Sequence, residues 1–317
     1  MFTTAPIQAL QNLSNPFLDA LLEFISFLGI TPIIISICLI ILFGISFKRG
    51  LVLINIVGWT ALFTVFLKEQ IDFPRPVDVD PTIESHYEPT GENLSDLKPT
   101  TFWEGFSDEL LAKTRNDDFK RYGFPSGHSS IQTAFWLSMI FLFRKRWIKT
   151  LGVALILLTG LSRIYLGNHF LGDVLAGYLL GGFISFALIQ LVKRSDYLAQ
   201  RTHDFASLSL LWVPGILLFL APFLPLWLAA SLIGMNAAAI LIILKRNFPV
   251  FHVIAWKRIA TVLIGMLIYF VMHYFNYILQ FTGIAYIDLL FVSLGYFAAI
   301  QGALSLCRRL GLVRFRY

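Results

Sequence analysis

Nine long apolar runs leave this chain one class of fold. They lie at about 32–47, 51–67, 129–146, 148–166, 171–192, 206–223, 226–244, 254–280 and 286–306, most of them near the ~20 residues needed to cross a hydrocarbon core. In lipid the backbone must satisfy its own hydrogen bonds, so the chain is expected to be almost entirely helix. Over 317 residues the chain is 57% hydrophobic and 14% charged, a balance that excludes an ordinary soluble globular domain. The expected fold class is all-α: a polytopic transmembrane helix bundle of about nine spans, plus a short N-terminal interfacial helix.

That extra helix follows from Ser14 and Asn15 as a cap, Pro16 in the first turn, and Phe17 to Ile30 with Asp19 and Glu23 on one face. It is too short and too polar to span, which puts it at the membrane surface. The first eleven residues contain no Lys or Arg and no small-residue cleavage pattern follows, so the N-terminus is expected to be retained. Three regions result: 1–31 with the interfacial helix, a core of 32–193 containing a loop at 77–124, and further spans in 194–317.

Basic residues set the expected orientation. Lys48-Arg49, Arg144 to Arg146 with Lys149, Lys193-Arg194 with Arg201, Lys245-Arg246 with Lys257-Arg258, and Arg308 to Arg316 fall on one side when nine spans alternate. The positive-inside rule makes that side the cytoplasm, with the C-terminus there too. The net charge of +6 then reports topology, and no nucleic-acid partner is expected. Of the 19 acidic residues, 11 lie between Asp78 and Asp118, in a loop expected to form a partly irregular cap. Cys38 and Cys307 sit inside apolar runs and read as packing residues, not a disulfide.

Three polar clusters remain, all at the ends of runs facing away from the cytoplasm. The first is Lys68-Glu-Gln-Ile-Asp-Phe-Pro-Arg75-Pro76. The second, Gly123-Phe-Pro-Ser-Gly-His128-Ser129, turns a polar loop into an apolar helix. There Ser126 caps, Gly127 admits close backbone approach, and the first-turn amides carry the positive end of the helix dipole. The third is Ser162-Arg163-Ile-Tyr-Leu-Gly-Asn-His169-Phe-Leu-Gly-Asp173. Charges at the edge of a hydrocarbon slab are costly and invite a functional explanation. Three permanent cations would repel one another without an anion of several oxygens, and phosphate suits Arg forks and a Lys point charge.

His169 and Asp173 are four apart, so on a helix beginning near Asn168 they share a face and the carboxylate orients the imidazole as base or nucleophile. Arg163, six residues earlier, lies about 240° round an ideal helix and joins them only if the helix breaks. Gly167-Asn168 is the expected break. Two His and an Asp also suggest zinc, but adjacent Lys and Arg oppose a dication.

These stretches are similar to the three signature motifs of the type 2 phosphatidic acid phosphatase superfamily, the lipid phosphate phosphatases. Lys68 to Pro76, Pro125 to His128, and Ser162 to Asp173 match each defining position in order. The resemblance implies a metal-independent phosphatase without a cofactor. His169 attacks phosphorus, Asp173 orients it, and His128 protonates the leaving alkoxide. Lys68, Arg75, Arg163 and the amides of Ser126 and Gly127 hold the phosphate oxygens. A bacterial inner-membrane setting is expected, with the site on the extracytoplasmic side.

The substrate expected is a lipid phosphate in the bilayer, of isoprenyl, glycerophospholipid, lipid A or sphingoid type. Alternatives are a sugar-phosphate phosphatase of the glucose 6-phosphatase branch, a lipid phosphotransferase, or a non-catalytic lipid transporter. Other residues carry structural expectations. Ser129 and Ser130 bond the preceding turn or else cap or line the pocket, and Gly177, Gly181 and Gly182 form a close helix-packing face. Glu69 and Asp72 pair with cations or are solvated, His273 and Asn276 make an interhelical hydrogen bond, and Asp288 is a helix N-terminal charge.

Overall fold

The computed structural model describes residues 1–87, 94–115, 122–198, 208–212, 226–244, 248–278 and 284–316. Its helices fall where the apolar runs are. In chain order they are α1 (Ala5–Gln11), α2 (Pro16–Leu28), α3 (Thr31–Ile40, continued by a π turn Ile41–Ile45), α4 (Phe47–Ile71), α5 (Pro76–Val79) and α6 (Asp108–Arg115). There follow α7 (Gly127–Phe143), α8 (Arg146–Tyr165), α9 (Leu171–Arg194), α10 (Ser209–Trp212), α11 (Leu226–Leu244), α12 (Ala255–Ile278) and α13 (Ala285–Arg309). The chain is an integral membrane protein of all-α class. Six of these helices (α4, α8, α9, α11, α12 and α13) are long and apolar enough to cross a bilayer; α2 and α3, bent by 53° at their junction, make a seventh if counted as one broken span. The 17-residue α7 is about 26 Å long at 1.5 Å per residue. The expected span at 206–223 lies outside the described residues except for α10, as do Arg201, Lys245, Arg246 and the acidic residues at 88–93 and 116–121.

The chain divides into two compact units, Met1–Ile34 with Phe63–Ser185, and Ile35–Leu62 with Phe186–Tyr317. In the first, α2 begins as expected, with the Asn15 side chain accepting from the Leu18 amide and Pro16 at the first position. Helices α1, α2 and α7 pack on α8. The region after α5 is a cap with its own core, in which Ile7, Val79, Ile83, Leu94, Leu110 and Phe170 are buried together. Asp80 ties the cap to the N-terminus: it is buried and its Oδ2 accepts from the Thr4 hydroxyl at 2.9 Å and from Lys98 Nζ at 3.1 Å.

In the second unit α11 and α12 pack on α13. Asn55 and Asn236 exchange side-chain hydrogen bonds of 2.9 and 2.7 Å across a fully buried contact. His273 Nδ1 and the Tyr296 hydroxyl lie 2.6 Å apart, an interhelical hydrogen bond of the kind expected for that residue. Cys38 and Cys307 are buried and free, and Asp288 sits in the first turn of α13. One feature was not legible in the apolar pattern: β1 (Phe248–Phe251) pairs antiparallel with β2 (Val313–Arg316).

Candidate active site

The three polar clusters converge within the first unit, bonded to one another pairwise. The Gly123 amide donates to the Phe73 carbonyl at 2.8 Å, joining the second cluster to the first. The Ser126 amide donates to the Asp173 carbonyl at 2.9 Å, joining the second to the third. Arg75 Nη1 donates to the Asn168 carbonyl at 2.9 Å, joining the first to the third. Each cluster also contributes a phenylalanine to one aromatic group. Phe73 and Phe124 meet at a tilt with ring centroids 5.2 Å apart, and Phe2 reaches Phe73 at 5.3 Å and Phe170 at 6.0 Å. Such pairs contribute roughly 0.5–1.5 kcal/mol each beyond buried area, enough to hold three separate segments in register.

The loop-to-helix turn forms as its sequence requires. Ser126 is the N-cap of α7, its hydroxyl accepting from the Ser129 amide at 3.4 Å and the Ser129 hydroxyl at 3.0 Å. Gly127 and His128 are the first two helical residues, and their amides precede any helix carbonyl able to accept from them. The Ser126 amide differs from expectation: the Asp173 carbonyl occupies it, so of the two amides assigned to phosphate only that of Gly127 stays directed by the helix start. Ser130 donates back to the Gly127 carbonyl at 3.1 Å and meets the Thr64 hydroxyl at 2.8 Å.

The third cluster turns where a break is needed. Helix α8 ends at Tyr165, Gly167 takes φ +64°, and the amides of Asn168 and His169 both return to the Arg163 carbonyl, at 3.1 and 3.2 Å. A side chain at Gly167 would strike the Glu84 carbonyl at 2.2 Å, so only glycine serves there. Helix α9 starts at Leu171, three residues later than the i, i+4 spacing suggested, so His169 precedes the helix. Its Nδ1 still lies 3.2 Å from Asp173 Oδ2, and the same oxygen accepts the Phe170 amide at 3.0 Å. Asp173 thus caps α9 and orients the imidazole, leaving Nε2 on the far side of the ring.

His169 is 3% exposed and Asp173 fully buried. Burial, then the charges of Arg75, Lys68, Arg163 and His128, push the His169 imidazole well below its ordinary 6.5, so it is held neutral. Lys68 Nζ donates to the carbonyls of Tyr122 and Gly123 at 2.8 and 2.9 Å. Arg163 Nη1 donates to the Ser26 hydroxyl at 2.5 Å, while its Nε is buried with no partner among the described residues. A cavity of about 630 Å³ opens onto Lys68 and Arg75, with Glu69, Asp72 and Tyr122 at its walls. Asp72 pairs with Arg115 at 3.2 Å rather than with the three central cations.

Every residue assigned from sequence (Lys68, Arg75, Ser126, Gly127, His128, Arg163, His169 and Asp173) comes to this one place. The sequence reading missed its supports. Tyr87 lies under the Arg75 guanidinium, 3.9 Å from it. Ser26 holds Arg163, and a side chain on Gly29 would meet His128 Cδ2 at 3.1 Å. Single residues on separate segments leave no spacing signature. The packing face on α9 is narrower than expected: added Cβ atoms at Gly177 and Gly181 would meet the carbonyls of Ser126 and Ser130 at 2.7 and 2.2 Å, whereas Gly182 faces open space.

Residues 49–197 match the PAP2 superfamily. The chain is 40% identical over 62 residues to a lipid A 4'-phosphatase of Bacteroides thetaiotaomicron, a stretch covering 20% of this chain and 28% of that protein. It is 39% identical over 70 residues to an undecaprenyl-diphosphatase of Sulfolobus acidocaldarius, covering 22% and 34%. It is 27% identical over 200 residues to phosphatidylglycerophosphatase B of Bacillus subtilis, covering 59% and 79%. The match thus spans about a third or less of the first two relatives.

Proposed function

We propose, from the match of residues 49–197 to the PAP2 superfamily, that this chain is a membrane phosphatase acting on a lipid phosphomonoester or diphosphate, of isoprenyl or glycerophospholipid type. The observation that carries the reading is the buried His169, anchored through Nδ1 to Asp173 where the segments bearing Lys68, Arg75, His128 and Arg163 are bonded together.

His169 Nε2 attacks phosphorus as the ester oxygen leaves, and His128 gives that oxygen a proton. Asp173 stabilises the imidazolium of the phosphohistidine. Water then attacks phosphorus, His128 takes its proton, and inorganic phosphate departs with His169 restored. Lys68, Arg75 and Arg163, with the Gly127 amide, balance the charge that grows on the non-bridging oxygens. Ser126 supports this by fixing the first turn of α7. Three fixed cations already supply the neutralisation that a metal gives in other phosphoryl transfers, so a chelator should leave turnover unchanged.

The basic residues flanking the spans support a bacterial inner membrane with the C-terminus cytoplasmic and the site on the outer side, at headgroup depth. An amphiphile whose phosphate rests at the interface is the substrate such a position favours. The test is phosphate release by purified protein in detergent micelles from isoprenyl diphosphate, phosphatidylglycerophosphate and lipid A, against glucose 6-phosphate. Turnover of a lipid, abolished by His169→Ala, is expected. Preference for the sugar phosphate, release only with an acceptor lipid, or full turnover by His169→Ala would overturn it.

A further inference from the structure

Helix α2 lies outside all three clusters, yet it touches two of the groups they contribute. Ser26 is 137 residues from Arg163 in the chain, and its hydroxyl accepts from Arg163 Nη1 at 2.5 Å with both residues buried. Two and three residues further on, the Leu28 carbonyl accepts from Gln132 Nε2 at 3.1 Å, and the Gly29 backbone passes so close to His128 that a Cβ would meet its ring at 3.1 Å. Toward its N-terminal end, α2 is tied to α8 again by Asp19, which accepts from the Tyr165 hydroxyl. The position of the Ser26 oxygen is therefore set against both α7 and α8.

A guanidinium has two edges that can receive an oxyanion in a fork: the end, Nη1 with Nη2, and the side, Nε with Nη2. An acceptor on Nη1 fixes that nitrogen and leaves the side edge for an oxyanion. Nε on that side is buried without a partner among the described residues. A buried, unmet donor on a cation is costly unless a ligand completes it.

We propose that Ser26 is a positioning residue, which holds Arg163 by Nη1 so that its side edge is presented to the phosphoryl group. The inference rests on the reading of Arg163 as a phosphate ligand. It makes α2 a wall of the site in addition to any role at the membrane surface. Arg side chains carry considerable rotamer freedom, and fixing the fork before substrate arrives removes that ordering from the binding step.

The experiment compares Ser26→Ala, Ser26→Thr, Arg163→Ala and the Ser26→Ala/Arg163→Ala double variant in the full chain. The readouts are orthovanadate affinity by calorimetry, kcat and KM for a lipid monophosphate in micelles, and melting temperature. Hydrogen bonds to charged groups predict that Ser26→Ala loses roughly tenfold or more in kcat/KM and in vanadate affinity. Its melting temperature should stay near that of the parent, and Ser26→Thr should recover most of the loss. In the Arg163→Ala background Ser26→Ala should add little. Unchanged vanadate affinity in Ser26→Ala, or an undiminished loss in the double variant, overturns the inference alone. Unchanged turnover and affinity in Arg163→Ala instead overturn the underlying reading of Arg163. Should Ser26→Ala not fold, the nearly isosteric Ser26→Cys, a poor acceptor, carries the same expectations.

Discussion

His169 is held to Asp173 from outside α9 and not along it: Nδ1 lies 3.2 Å from Oδ2, the oxygen that also receives the Phe170 amide at 3.0 Å. The carboxylate sits in the first turn of the helix, where the macrodipole favours a negative charge. One group thereby sets both the helix start and the tautomer of the nucleophile.

Asp173→Asn should therefore lower kcat steeply. An amide in this position can turn its NH₂ toward the ring and stabilise the tautomer that carries its proton on Nε2, which cannot attack. Loss of the orienting carboxylate in a catalytic triad costs about 10⁴-fold, and a fall of roughly 10²–10⁴ is expected here. Vanadate affinity should fall far less, because the three cations remain. Steady-state kinetics with calorimetry checks both; a kcat within about tenfold of the parent would count against the proposed role of Asp173.

The depressed affinity of His169 for protons predicts a one-sided pH dependence of stability. Folded His169 stays neutral well below 6.5, whereas the unfolded chain protonates it near that value. Below pH ~6.5 the unfolded state binds more protons, so stability falls as pH drops toward the folded value and is unaffected above it. Melting temperatures of the ligand-free protein at pH 5 to 8 should decline on the acid side, and His169→Gln should flatten part of that slope. An equal slope in the variant would remove His169 as its source.

Asp80 makes the opposite case, in the cap. Burial raises its pKa, but hydrogen bonds from Thr82, Lys98 and Thr4 outweigh that and bring it down to about 2. The stabilisation is complete above the ordinary 3.8 and is lost as pH falls from there toward 2. Asp80→Ala leaves the Thr4 hydroxyl and Lys98 without their acceptor, at about 1–3 kcal/mol. Faster proteolysis of the N-terminal segment and the cap, with a lower melting temperature, is expected; digestion rates matching the parent would show that the hub does not hold α1.

Helix positions and the polar clusters were legible because lipid permits few backbone solutions and because phosphate chemistry needs several charges at fixed spacing. The apolar run at 171–192 gave α9 closely. Its first turn was misplaced because the spacing of His169 and Asp173 looks like a helical pair, whereas the chain uses Asp173 to accept the Phe170 amide. Ser26, Tyr87 and the carbonyls of Tyr122 and Asn168 were not legible. A backbone carbonyl has no residue type, and a lone serine in an apolar helix looks like one bonding its own preceding turn. The strand pair β1–β2 was hidden for a related reason: four residues at each end of a helical region are too few to carry a period.

Two glycines in adjacent positions of α9 offer a test of how closely α7 and α9 must approach. A Cβ at Gly181 would lie 2.2 Å from the Ser130 carbonyl, backbone of the helix that carries His128, while Gly182 has nothing within 4 Å. Gly181→Ala must push the helices apart, and overpacking of this kind costs about 1–3 kcal/mol. Displacing α7 moves the Ser126 amide from the Asp173 carbonyl and His128 from the nucleophile, so turnover should fall along with stability. Gly182→Ala gains helix propensity, up to about 1 kcal/mol, with no clash. Parallel measurement of melting temperature and phosphate release should show loss of both in Gly181→Ala and unchanged or slightly higher stability with full activity in Gly182→Ala. Equal behaviour of the two variants would mean that α9 does not meet α7 through this face.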